Sequence, residues 1–466
     1  MLFKIPSLAH RFERNGVIAL YNSLKLRPIF MDKATALSVE NFFGSAREDT
    51  EFLQTHESVI AHLPELLAQL QTEKILLPAT ATEKEIIAWH SQQHTGYPYV
   101  SIMYLILTER CNLGCHYCFI INQFQHNRRL VDMTHSIAEK ALVTFGRLIK
   151  EKPEYFNEEK TIIFYGGEPI LNLQVLTFAL NRIRELKRKK ILPASIAVSL
   201  NSNGTLITRE AARLLKRHGV ALAISIDGDQ WAQDACRCYR GGKSSYQDTL
   251  NALKLCQAEG VDMGLSCTLN LTSLDHFDRT LQMILNEFQV KSLGFNLVLS
   301  SEQYPVSPAD DLRATVKMIE AFKLFRQLGI HEDRMLRKVD AFIKGEIYPF
   351  DCGATGGGQI VVAPDGRIGI CHGYLGDGKY FVDHVDNPNF SPQISPAFTE
   401  WGRRSPLNMP QCYHCPALGI CGGGCPMYAD QLKGSIWELD ERFCIHAKTV
   451  LEWLIWDLYD QELKGR

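Results

Sequence analysis

The sequence predicts an α/β fold. Its centre is a partial (βα)6, TIM-like barrel with an open sheet, set between a small winged-helix-like module and a cysteine-rich C-terminal domain. Two observations carry this. Between residues 98 and 300, strand-like apolar runs alternate with helical runs six times. That is the pattern of repeated βα units and a parallel sheet, and it falls short of the eight units that close a barrel. Secondly, the 14 cysteines avoid the first 95 residues, and ten of them crowd two stretches, 111–118 and 352–444.

Composition sets the outer bounds. A chain of 466 residues suits two or three domains. Its 45% apolar and 22% charged residues are ordinary globular usage. The net charge of −2 implies no general attraction to nucleic acid or to an anionic membrane. Lys4, Pro6 and His10 interrupt the N-terminus, so it lacks the apolar core of a signal peptide. No run of 18 apolar residues exists, so no membrane span is expected. A cytoplasmic chain is therefore expected, in which reducing conditions keep cysteines as thiols and clustered thiols bind metal or do redox chemistry.

The first zone, 1–95, reads as strands at 17–21 and 27–31 around a polar turn, a helix at 34–43 and another at 56–73. The last helix carries Val59, Ile60, Leu63, Leu66, Leu67 and Leu70 on one face. Winged-helix modules often bind DNA, but 9 basic against 11 acidic residues here argue against a phosphate-binding surface. The second zone, 98–300, predicts strands at 101–107, 161–165, 195–200, 221–226, 263–269 and 293–299. Helices are expected at 134–149, 172–190, 208–218, 245–259 and 273–288, with Thr208 as an N-cap and Gly219 as a stop. Connecting helices follow at 313–328 and 334–345 within 301–345. The zone 346–466 is dense in Gly, Pro and Cys, and needs metal to fold.

Cys111, Cys115 and Cys118 form C-x3-C-x2-C directly after the first barrel strand. Three thiolates on one loop can hold a 4Fe-4S cluster and leave one iron without a protein ligand. An open metal position suits a reactive site, and the carboxyl end of a parallel strand is where α/β enzymes place chemistry. Zinc is the competing reading.

With its surroundings, this stretch resembles the radical S-adenosylmethionine superfamily. That signature places an aromatic, here Tyr117, before the last cysteine. YGGEP, residues 165–169, resembles the superfamily's GGEP motif, which holds the cofactor's amino group; Gly166 and Gly167 permit close backbone approach and Glu168 supplies an anion. LNSNGTLI, 200–207, resembles the strand end near the cofactor ribose and offers Asn203. SIDG, 225–228, resembles the next strand end, where Ser225 meets the cofactor. QDACR places Arg237 where a carboxylate-binding arginine often stands, a task suited to its planar fork. The resemblance implies that one electron from the cluster splits S-adenosylmethionine, and that the resulting 5′-deoxyadenosyl radical takes a hydrogen from the substrate.

Cys352, Cys371, Cys412, Cys415, Cys421, Cys425 and Cys444, with C-x2-C-x5-C-x3-C at their centre, resemble the SPASM domain, an extension that carries auxiliary iron-sulfur clusters. A pair of zinc ribbons is the alternative. Carried over, Cys412, Cys415, Cys421 and Cys444 hold one auxiliary cluster, and Cys352, Cys371 and Cys425 the other. A further cysteine found in some relatives is absent from GATGGGQ, 353–359, which leaves that second set one ligand short. A substrate thiolate, a water or another side chain could fill the place. Cys256 and Cys267 read as core thiols, and Cys236 and Cys238 carry no assigned role.

SPASM proteins mostly modify peptides. A maturase of a ribosomally made precursor peptide is the first expectation, with an electron donor such as flavodoxin or ferredoxin. An anaerobic sulfatase maturase is the alternative, and a metal-binding redox regulator is the alternative from another class. In sulfatase maturases an aspartate thought to act as base follows the cysteine equivalent to Cys371; here it is His372, which can accept a proton near neutral pH. The N-terminal zone is similar in pattern to precursor-recognition elements, which bind a leader peptide as an added strand.

Overall fold

The computed structural model describes residues 2–56, 62–95, 99–120, 124 and 129–464. The N-terminal module runs β1 (Leu2–Lys4), β2 (Ala9–Arg14), β3 (Val17–Asn22), β4 (Pro28–Asp32), α1 (Lys33–Phe43), β5 (Arg47–Glu48), α2 (Asp49–His56), α3 (Leu63–Thr72), β6 (Leu77–Pro78) and α4 (Glu83–His94). The expected strands at 17–21 and 27–31 are β3 and β4, and the helix at 34–43 is α1, capped by Asp32 accepting from the Thr35 N–H at 2.9 Å. The helix expected at 56–73 begins only at Leu63; residues 57–61, with Val59 and Ile60, lie outside the described residues. Strand β3 is central, between β2 and β4, and buried on both faces. Ile18 and Leu20 meet Val39, Phe43 and Leu67 of the module's own core, while Ala19 and Tyr21 join the core of the main body.

The barrel follows as β7 (Ile102–Thr108), α5 (His135–Leu148), β8 (Thr161–Gly166), α6 (Leu173–Arg188), β9 (Ala197–Ser202), α7 (Arg209–His218), β10 (Ala221–Ser225), α8 (Gln230–Cys236), α9 (Tyr246–Glu259), β11 (Met263–Leu269), α10 (Leu271–Asp275), α11 (Phe277–Asn286) and β12 (Ser292–Leu297). Strands β7 to β12 pair in chain order, all parallel. Helix α7 starts and stops as expected: Thr208 accepts from the Ala211 N–H, and Gly219 takes the left-handed conformation at φ 62°. The single helix expected at 273–288 is two, because His276 leaves helical geometry at φ −110°, ψ 24°.

Next come α12 (Pro308–Leu328), β13 (His331–Glu332), α13 (Asp333–Lys344), β14 (Gln359–Val362), β15 (Arg367–Gly369), β16 (Phe381–His384), α14 (Pro396–Gly402), α15 (Leu418–Cys421), α16 (Pro426–Lys433) and α17 (Glu441–Lys464). These lengthen the sheet at both edges. Strand β13 adds beside β12, and β14 adds in parallel beside β7, with β15 and β16 antiparallel beyond it. The cysteine-rich region is thus rooted in the barrel's own sheet. No described helix is long and apolar enough to cross a membrane.

Candidate functional site

The loop from Cys111 to Cys118 leaves the carboxyl end of β7 and is held from three sides. From β8, the backbone crosses directly over it: the Gly167 N–H donates to the Thr108 carbonyl at 2.9 Å and the Glu168 N–H to the Arg110 carbonyl at 2.8 Å. A Cβ on Gly166 would run into the Thr108 carbonyl, and one on Gly167 into the Arg110 carbonyl. The glycines are thus demanded by backbone packed on backbone. From β9, Asn203 donates to Asn112 at 2.9 Å and lies 3.8 Å from the Cys111 sulfur. From the segment after α8, the Cys238 and Cys236 carbonyls accept from the N–H groups of Gly114 at 2.8 Å and His116 at 3.0 Å. Cys236 and Cys238 therefore act through their backbone, a role the sequence did not reveal.

Glu168 also serves the protein's own framework. Its carboxylate is fully buried and accepts from the Asn203 N–H at 2.8 Å, Ser202 Oγ at 2.9 Å and the Ile170 N–H at 3.1 Å. These bonds strap β8 to β9 through both carboxylate oxygens, two on Oε1 and one on Oε2. Burial raises the carboxyl above its usual range, against the lowering effect of those donors.

A second network lies on the other side of the loop. Tyr117 Oη bonds Asp227 and accepts from Arg237 at 2.7 Å, and Arg237 also reaches Asp227 at 3.1 Å. Asp227 is completely buried and also receives the Thr268 N–H at 3.2 Å. The sequence singled out Tyr117 and Arg237 but passed over Asp227, although it sits in the quoted SIDG. The Arg237 Nε has no partner among the described residues and is buried. A guanidinium whose charge is felt by the Cys111 and Cys115 thiols fits a carboxylate-bearing cofactor. Ser225 ends β10, half-buried, in register with Ser266 of β11.

Burial pushes the Cys111 thiol up to about 11 and Cys115 to about 12. Such thiols ionise only with a positive partner, as metal binding provides. Among the described residues, no three His, Cys, Asp or Glu side chains stand at the spacing of one metal ion's ligands.

The seven C-terminal cysteines sort electrostatically into two groups. Cys371 feels Cys425 and Cys352, and Cys425 feels Cys352. Cys412 feels Cys421, Cys444 and Cys415, while Cys444 feels Cys421 and Cys415. Burial raises the Cys371 and Cys415 thiols, Cys412 and Cys444 to about 12, and Cys421 and Cys425 to about 11.

Residues 105–285 match the family model of the Radical SAM superfamily. The barrel is a radical SAM domain. The chain thus carries a domain of that superfamily over residues 105–285. It is 24% identical over 371 residues to the radical SAM cyclopropyl synthase TigE of Paramaledivibacter caminithermalis, covering 76% of this chain and 74% of that one. The AdoMet-bound structure of anSMEcpe superposes with a TM-score of 0.64 at 19% identity, over 79% of this chain and 96% of that one. SuiB of Streptococcus suis bound to S-adenosylmethionine gives 0.54 at 15% identity, over 95% and 99%.

His372 lies beside the radical SAM barrel, not in open solvent. Its ring centroid is 4.7 Å from Tyr104 of β7, 4.9 Å from Tyr165 of β8 and 5.5 Å from Phe119. Burial lowers its pKa to about 4, so it is a neutral imidazole at physiological pH, and its Nδ1 has no partner among the described residues. Tyr104 went unremarked in the sequence because it reads there as one more strand residue.

Proposed function

We propose that this radical SAM enzyme is a peptide maturase, cleaving S-adenosylmethionine and taking a hydrogen from a ribosomally made precursor to install a thioether, a carbon–carbon crosslink or a related modification. The observation that carries the reading is one chain holding a three-thiol loop at a parallel-strand end beside two further cysteine groups, divided 3 + 4. Cys111, Cys115 and Cys118 would hold the cube, which supplies the electron that splits the cofactor. Arg237 offers its unpartnered Nε to the cofactor carboxylate, and Tyr117 and Asp227 hold that guanidinium in place. Gly166, Gly167, Asn203 and Ser225 shape the strand ends around it. The C-terminal groups would hold two auxiliary clusters, Cys352, Cys371 and Cys425 one ligand short.

The N-terminal sheet supports the peptide assignment. Its outer strands β2 and β4 are edges, and an extended leader can add to such an edge through main-chain bonds. The likeness to TigE points the same way. Sulfatase maturation is the weaker reading, because His372 stands where those maturases carry an aspartate and is packed among three rings. Electrons would come from a cytoplasmic flavodoxin or ferredoxin. Co-expression with candidate precursor peptides, followed by mass measurement, tests the proposal. A loss of two hydrogens together with release of 5′-deoxyadenosine is expected. Cofactor cleavage with no change in any peptide, in ordinary or deuterated water, would sink the peptide assignment.

A further inference from the structure

Arg404 follows α14 and belongs to none of the sites above. Its side chain is among the largest that are fully buried. The guanidinium donates to three backbone carbonyls: Gly423 at 2.7 Å, Glu438 at 3.0 Å, and Ile436. Among the described residues no carboxylate pairs with it. Other buried cations nearby are paired: Arg442 with Asp440 at 2.7 Å, and Lys338 with Asp351 at 3.7 Å. A guanidinium stays charged under all physiological conditions, and burying one without a counter-ion is strongly unfavourable.

Its position suggests what the counter-ion is. Gly423 lies in the CGGGC loop that runs from Cys421 of the four-cysteine group to Cys425 of the three-cysteine group. Ile436 and Glu438 precede Cys444. The guanidinium thus grips the backbone where the two groups meet, and a Cβ on Gly423 would come within 3.0 Å of its Nη1. The negative charges it senses come from Cys425 and Cys352 of one group, from Asp440, and from Cys421 of the other. Asp440 is already held bidentately by Arg442.

We propose that Arg404 is the shared counter-cation of the two C-terminal iron-sulfur clusters and holds both at a higher reduction potential than their thiolates alone would set. The inference rests on the reading that the seven cysteines carry clusters. A cluster held by thiolates is an anion, and one electron from the donor makes it more negative. Net charge and nearby hydrogen bonds are levers on its potential. A buried cation held where the two sets of thiolates meet favours the reduced state of each cluster.

The test uses the full chain with Cys111, Cys115 and Cys118 replaced by alanine, reconstituted anaerobically, so that only the C-terminal clusters report. Roughly eight irons are expected, two cubes of four. Iron content and midpoint potentials, by redox titration under electron paramagnetic resonance, are compared for Arg404, Arg404→Gln and Arg404→Lys. Expected is a shift to more negative potential in R404Q, with R404K close to the parent. Iron loss in R404Q that R404K restores also supports the proposal, since lysine keeps the charge and loses the fork. R404Q with full iron and unmoved potentials would overturn it, as would equal iron loss in both variants, which marks a structural clamp. A parent protein without iron would instead overturn the cluster reading itself. If the triple-alanine chain does not fold, the same titration runs on the whole enzyme, with the first cube's signal identified by its response to S-adenosylmethionine.

Discussion

Replacing Glu168 with glutamine separates two roles for one carboxylate. The anion accepts three hydrogen bonds, from Asn203, Ser202 and Ile170. A glutamine can keep two of them on its carbonyl oxygen, those of Ser202 and Ile170, which both go to Oε1 in the native chain. Its amide NH2 then faces the Asn203 N–H, donor against donor. The lost bond to a charged acceptor is worth about 1.5–3 kcal/mol, and the stranded N–H costs about 1–3 kcal/mol more. Relief of burying a charge offsets part of this, since burial already raises the Glu168 carboxyl. A net destabilisation of about 2–4 kcal/mol is expected, read as a lower urea midpoint for the anaerobic, reconstituted enzyme. Should the carboxylate instead bind the cofactor's amino group, E168Q would leave the midpoint alone and raise KM for S-adenosylmethionine. An unchanged midpoint with a raised KM would refute the strap.

Three further predictions follow from the same geometry. Gly167→Ala drives a Cβ into the Arg110 carbonyl and to 3.1 Å from the Cys111 Cβ; the first cube's iron is expected to be lost while the C-terminal clusters stay, so that iron falls from roughly twelve to roughly eight atoms. Arg237→Lys keeps the charge and removes the fork, and is expected to raise KM for S-adenosylmethionine about 10- to 100-fold in a deoxyadenosine-release assay; an unaltered KM would take Arg237 out of the cofactor site. Asp311 is 6% exposed and its carboxyl is pushed up to about 6 by burial. Its folded pKa exceeds the unfolded value of about 3.9, so ionisation penalises the folded state: nothing below pH 4, a growing cost from 4 to 6, and the full cost, about 1–3 kcal/mol, above 6. Asp311→Asn should therefore be more stable than the native chain at pH 8, by a margin that shrinks as pH falls to 5; a margin independent of pH would refute this.

Much of the barrel was legible because its strands are short, apolar-rich segments spaced regularly between helical ones, and 263–269 coincides with β11. The limits appear where a local signal was weak or was passed over. AHRFER reads as polar loop, yet it is β2, and the Asn15–Gly16 pair joining it to β3 has φ of 53° and 79°. An Asn-Gly step between two runs is a strong hairpin sign, so this strand could have been found. Pairing of β14 with β7 joins residues about 250 positions apart, for example Gln359 with Ile102, and no local pattern encodes that. Cysteine spacing located the thiol loop, but Glu168's partners could not be read, because a carboxylate facing a cofactor and one facing its own backbone occupy the same motif.

That β14–β7 ladder bears on how the enzyme is organised. Strand β7 launches the loop of Cys111, Cys115 and Cys118, and on its other side it hydrogen-bonds the strand that follows Cys352 and precedes Cys371. The thiol loop and the three-cysteine group are therefore placed relative to each other by a backbone ladder, not by side chains that could swing. The angle between them is filled by rings: Tyr165 senses Cys118 and Cys115, Tyr104 senses Cys352 and Cys371, and the two rings stand 5.8 Å apart with His372 against both. On the proposed reading, these three side chains stand between the two cysteine groups. Their truncation should then alter which product forms, or how much of it, before it alters the binding of S-adenosylmethionine.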